Sequence, residues 1–152
     1  TRMSKKLLSI LAAAFALNLA WEHLHSALYL SYQGGEITNL ILFRAALFDA
    51  AVITIFAYLC FYSPLAKGAR PSASGGPVGQ ALRDKVGGEM PHVIFACALV
   101  VFAVLLEKWG LSTGRWNYAD AMPLIPLLNV GLTPAIQLGA LGYISMKLFD
   151  WL

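Results

Sequence analysis

Charge is scarce in this sequence. Only 12% of its 152 residues are Asp, Glu, Lys or Arg, about half of what a soluble domain carries, while 59% are hydrophobic and the mean hydropathy is +0.66. A water-facing globular domain is excluded, and the chain reads as an integral membrane protein. Cysteine is equally sparse. Cys60 and Cys97 stand inside apolar runs, with neither a CxxC nor a metal-ligand spacing, so they read as small buried hydrophobes rather than a disulfide framework. A nucleophile elbow, a P-loop, a dinucleotide-binding glycine pattern and an HExxH motif are all lacking, which leaves those classes unsupported. The net charge is +3, but its cations cluster beside apolar runs instead of along one basic face. That pattern argues for membrane topology and against a nucleic-acid partner.

What is present is a set of four apolar runs, about 7–32, 40–62, 91–109 and 124–148, each long enough to cross roughly 30 Å of hydrocarbon at about 1.5 Å per residue. They predict an all-α integral membrane protein, one domain over 1–152 built as a four-transmembrane-helix bundle. Lys5 and Lys6, the apolar run and Ala14-Phe15-Ala16 together imitate a signal peptide, but the run continues past the would-be cleavage point. Residues 64–90, with Lys67, Arg70, Pro71 and a Ser, Gly and Pro stretch, predict a flexible polar loop. Within it Val78, Ala81, Leu82 and Val86 recur at helical spacing, which also suits a short interfacial helix. Placing the loop and both termini in the cytoplasm puts Arg2, Lys5, Lys6, Lys67, Arg70, Arg83, Lys85 and Lys147 on one side, as the positive-inside rule requires of a multi-pass protein of the inner (plasma) membrane.

Small residues mark expected helix contacts: Ala12, Ala16 and Ala20 in the first span, and Gly131, Ala135 and Gly139 in the fourth. Pro134 is expected to interrupt the fourth span, freeing a carbonyl for Thr133 or Gln137.

Polar side chains at membrane depth are costly and mark interiors or cavities. Asn18, Glu22 and His25 share one face of the first span, with Glu22 about 22 Å from its cytoplasmic end. Arg44 lies about one turn below the outer surface in the second span and Asp49 about 15 Å deep. Glu107 lies about 24 Å along the third span and Asn129 about 8 Å down the fourth. Four helices thus deliver polar groups to the outer half, which predicts a single outward-opening pocket. Only His92, Gln137 and the two cysteines are expected in the inner half. Each of these groups has a structural alternative as well, such as ion pairs of Glu22 or Asp49 with Arg44.

Two chemistries fit the set. In the first, Glu22, His25, Asp49 and Glu107 donate and accept protons on a lipid-like substrate, since a carboxyl held in an apolar bundle and a histidine both exchange protons near neutral pH. Trp21, Trp109, Trp116 and Tyr118 then supply walls or cation–π faces, unless they serve only as an interfacial belt. Glu22 and Glu107 are expected to approach one another, with His25 or Arg44 between them. In the second, the Glu-x-x-His of Glu22 and His25 holds a metal. No second such motif exists for a di-metal site, and no cofactor is expected. His23 and His25 lie too far from His92 for a haem between them.

The stretches Asn18-Leu19-Ala20-Trp21-Glu22, Gly114-Arg115-Trp116-Asn117-Tyr118 through Met122-Pro123, and Gly131-Leu132-Thr133-Pro134-Ala135-Ile136-Gln137 resemble a group of small bacterial polytopic membrane proteins to which no reaction is assigned. Isoprenoid cyclases and sterol isomerases also use intramembrane carboxylates, but their signature motifs do not occur here. The expected function is a membrane-embedded enzyme, isomerase-like in its proton chemistry, or a binding protein for a lipid or other lipophilic small molecule. Asn18, Trp21, Arg44, Trp109, Trp116, Tyr118 and Asn129 would contact the ligand. The alternatives are a transporter or export accessory and a structural subunit of a larger complex or oligomer.

Overall fold

The structure, a computed structural model, describes residues 2–63 and 90–150. The polar loop expected at 64–90 therefore falls outside the described residues except for Met90. Four helices form the body: α1 (Arg2–His25), α2 (Asn39–Ala57), α3 (Met90–Ser112) and α4 (Leu132–Asp150). In hydrocarbon every backbone N–H and C=O must be satisfied within the chain, and an apolar run does so as a helix. Three segments, Met3–Leu28, Asn39–Tyr62 and Met90–Ser112, are long and apolar enough to cross a membrane. The membrane assignment stands on these. The side chain of Thr38 caps α2 by accepting from Ile41 N at 3.4 Å, and α2 continues as a π-helical turn over Tyr58–Tyr62.

The first and fourth spans differ from expectation at their cap-side ends. Helix α1 stops at His25, and the chain then passes through a 3-10 turn into β1 (Tyr29–Tyr32). Strand β1 pairs antiparallel with β2 (Trp116–Tyr118), Tyr29 facing Tyr118 and Tyr32 facing Trp116. Residues 124–131 are not helical. They form a hairpin of β3 (Leu124–Ile125) and β4 (Val130–Gly131), with Leu127 at φ 71° and Asn129 at φ 52°. The reason is local: Pro126 has no N–H and disfavours helix at the residue before it, and Asn tolerates the left-handed region. Pro134 consequently sits in the first turn of α4, where its missing N–H costs nothing, and no mid-span kink arises.

Helix α1 lies along α2 and α3 along α4, while α2 and α3 touch each other little. The expected alanine contact face of α1 is overturned: Ala12, Ala16 and Ala20 are exposed, and the buried face repeats as Ile10, Ala14 and Asn18. The polar face needs interior partners more than alanines need neighbours, and that requirement sets the helix rotation. On α4 the expectation is met at Ala135 and Gly139, both buried. A Cβ on Gly139 would stand 2.8 Å from Ala96 O and one on Gly142 2.5 Å from Leu99 Cδ1, so only glycine permits this approach of α3 and α4. Ile10, Ile53, Phe95, Leu99 and Met146, drawn from all four helices, form a closed apolar core in the half away from the strands. Lipid provides little hydrophobic drive between helices, so this core holds by close packing.

Candidate functional site

The connections 26–38 and 113–131 meet at one end of the bundle, joined by the β1–β2 pairing and by Gln33 N donating to Arg115 O at 2.6 Å. Beneath this cap lies a cavity of 370 Å³, walled by the cap connections, α2 and α3, with contributions from α4 and Glu22 of α1. Glu22, Asp49 and Glu107 line it, as do Arg44, Arg115, Trp109, Trp116 and Gln137. Ile41, Leu42, Phe48, Ala103, Leu106 and Leu138 supply apolar walls. Polar groups from all four helices meet here, Glu22, Asp49 and Glu107 as expected, but the fourth helix contributes Gln137 in place of the expected Asn129.

Its floor is a polar knot. Gln137 Nε2 donates to Glu22 Oε1 at 2.9 Å, to Asp49 Oδ2 at 3.0 Å and to Asn18 Oδ1 at 3.1 Å, two amide protons shared by three acceptors. Asn18 turns its own amide to Ala14 O at 2.8 Å. The one Gln137 nitrogen thereby brings the carboxyls of Glu22 and Asp49 together. Two carboxyls held on one donor repel each other when both are ionised, which favours a proton between them. Asp49 and Asn18 are buried, whereas Glu22 is partly open to the cavity.

Glu107 is held differently. Trp116 Nε1 donates to Oε2 at 3.1 Å, Tyr29 OH donates to Oε1 at 3.3 Å, and Tyr118 OH donates to Oε2. Tyr118 OH in turn accepts from Gly131 N at 2.9 Å, which ties the cap to the first residues before α4. Burial pushes both tyrosine hydroxyls above their ordinary range, and the neighbouring Glu107 charge adds to this, so both stay neutral donors. Three donors thus converge on one buried carboxyl.

The remaining expected residues fall elsewhere. His25 is buried behind the cavity wall, its Nε2 2.7 Å from Thr133 Oγ1, between the rings of Trp21 and Tyr29. Neither Trp21 nor His25 lines the cavity, and each has one buried ring nitrogen without a hydrogen-bond partner. His25 Nε2 is engaged with Thr133 rather than free to bind a metal. Among the described residues no cluster of three His, Cys, Asp or Glu side chains is arranged to hold a metal. Glu22 and Glu107 share the cavity, but their hydrogen bonds run to Gln137 on one side and to the aromatic cap on the other, not through His25 or Arg44. Asn129 lies in the exposed hairpin turn, outside the cavity.

Gln137 is the residue that sequence reasoning misplaced. Counting depth from position 124 put it in the inner half. Counted from the true start of α4 at Leu132 it lies about 8 Å below the cap, level with Glu22. The signal was the Pro123, Pro126 and Asn129 turn chemistry, which ends any helix reaching back to 124. Tyr29 escaped sequence reasoning as a partner of Glu107, since nothing in its spacing points there.

No family model, no curated protein and no solved structure matches the chain.

Proposed function

We propose that this chain is a membrane-embedded acid–base protein that binds a lipophilic ligand in the carboxyl-lined cavity and exchanges a proton with it. The observation that carries this reading is that Gln137 Nε2 gathers the carboxyls of Glu22 and Asp49 at the floor of a cavity with many apolar and aromatic wall residues, where we propose that the two share a proton. A shared proton is a ready general acid, and once it is given up the same pair is a general base. Glu107, fully satisfied by neutral donors, serves as a fixed negative charge opposite the pair and stabilises positive charge developing on the ligand. Gln137 and Asn18 act as positioning residues for the pair.

In the membrane frame we place α4 as a fourth span and both termini in the cytoplasm, with the strand cap at the outer surface of the plasma membrane. The cation distribution supports this orientation. The sparse contact between α2 and α3 offers a lateral way in from the bilayer. A transport role is disfavoured by the closed apolar core of Ile10, Ile53, Phe95 and Leu99 beneath the polar knot.

Deuterium transfer tests the reading. The purified protein, held in lipid nanodiscs in D2O, is incubated with a lipid extract, and carbon-bound deuterium in the recovered lipophiles is read by mass spectrometry. Wild-type protein should label one species, and Glu22→Gln or Asp49→Asn should slow labelling by roughly two to four orders of magnitude. Equal labelling by wild type and Glu22→Gln would overturn the acid–base role.

A further inference from the structure

The charges in the cavity divide into two sets. The carboxyls already have neutral donors from the chain: Gln137 on Glu22 and Asp49, and the cap aromatics on Glu107. They create no demand for a cationic ligand. Arg44, an exposed residue, and the half-buried Arg115 both line the same cavity, and among the described residues neither has a carboxylate partner. Arg115 is fixed on the wall: its Cζ lies 4.5 Å from the Trp109 ring centroid, and its main chain is pinned by Arg115 N donating to Gly110 O at 2.8 Å. Arg44 lies five residues before Asp49 on α2, which places it about 7.5 Å nearer the cap end. Two arginines without acids, above a floor that holds the Glu22 and Asp49 carboxyls, describe a polarity along the cavity: anion at the mouth, acid groups below.

We infer that the ligand is an amphiphile whose oxyanion head, a phosphate or phosphate ester, binds Arg44 and Arg115, and whose apolar chain descends between α2 and α3 to the Glu22–Asp49 pair. This rests on the reading of the cavity as a lipophile site. Guanidinium forks match the geometry of phosphate oxygens and make charge-assisted hydrogen bonds to them. Phe48 and Leu106 give the chain an apolar path beside the arginines. The group that meets the acid pair then sits about 7 Å from the head, the axial rise between Arg44 and Asp49.

The test uses the full chain in nanodiscs of phosphatidylcholine and follows intrinsic fluorescence, since Trp109 and Trp116 stand in the cavity wall. Dodecyl phosphate, dodecanol, dodecyltrimethylammonium and inorganic phosphate are titrated separately. Dodecyl phosphate should bind saturably and at least about tenfold more tightly than either other amphiphile, and inorganic phosphate alone should leave the signal unchanged. Arg44→Gln and Arg115→Gln should each weaken dodecyl phosphate about ten- to a hundredfold, with Arg44→Lys and Arg115→Lys intermediate. Competition by phosphatidic acid placed in the disc would assign the head to a bilayer lipid, and its failure to compete would assign it to a separate single-chain phosphate. Dodecanol or dodecyltrimethylammonium binding as tightly as dodecyl phosphate, or unchanged binding in both Gln variants, would overturn the oxyanion inference while leaving the lipophile cavity standing. Absence of binding by all three amphiphiles would overturn both.

Discussion

Gln137 and Glu22, on α4 and α1, are joined by a 2.9 Å hydrogen bond across the bundle, and the same Gln137 nitrogen reaches Asp49 on α2. One amide thus ties three helices at the depth of the cavity floor. Replacing it with an apolar group of similar size removes the donor and leaves buried acceptors behind. Gln137→Leu should therefore destabilise the protein by about 1–3 kcal/mol, the cost of unsatisfied buried polar groups. Thermal unfolding in detergent measures this, and an unchanged midpoint would show the knot to be energetically idle.

Gly110 governs the other carboxylate. A Cβ there would stand 2.0 Å from Trp116 Cζ2, so Gly110→Ala must push the indole aside and break its 3.1 Å bond to Glu107. A hydrogen bond to a charged group is worth about 1.5–3 kcal/mol, and a loss of that order in stability is expected together with a shifted tryptophan emission. Gly35→Ala, where the nearest atom would be Tyr32 O at 3.7 Å, should change neither.

Alkaline pH reads the tyrosines of the cap. Tyr29 and Tyr118 are raised in the folded state, while unfolded tyrosines ionise near pH 10. Their contribution to stability is therefore complete below about pH 10 and is lost as pH rises from there through the raised folded values. The melting temperature should fall steeply above about pH 10. Tyr118→Phe should lower it at neutral pH, through the lost bond to Glu107, yet make the alkaline decline shallower. A decline as steep as that of wild type would remove Tyr118 from this role.

Topology has a direct chemical test. In a background with Cys60 and Cys97 replaced by alanine, a cysteine at Ser112, exposed at the end of α3, should react with an impermeant thiol reagent on intact cells. A cysteine at Ser74 should not. The reverse pattern would place the strand cap in the cytoplasm.

Much of this was legible in the sequence because lipid leaves the backbone few options: long apolar runs became α1, α2 and α3, and the rare charges Glu22, Asp49 and Glu107 marked the cavity. Counting along the helices brought Glu22, Asp49 and Glu107 to one cavity where helix limits were read well. It failed for Asn129 and Gln137, because apolarity alone does not separate a helix from the β3–β4 hairpin when prolines and a left-handed Asn intervene. The rotation of α1 was also misjudged, since Ala12, Ala16 and Ala20 looked like a contact face although the polar groups decide which side is inside. Of the three donors on Glu107, Trp116 and Tyr118 share β2, whereas Tyr29 lies 78 residues away, and no local spacing reveals that they converge.

The claim on which the rest depends is that the cavity holds a lipophile, and native mass spectrometry of protein released from membranes tests it most directly. Wild-type protein should carry one tightly retained amphiphile per chain. Ala45→Trp, which fills the cavity from α2, should lose that mass, whereas Ile55→Trp, on the lipid-exposed surface of the same helix, should keep it. The same adducts on all three proteins, or none on the wild type, would contradict the assignment of the cavity as the binding site.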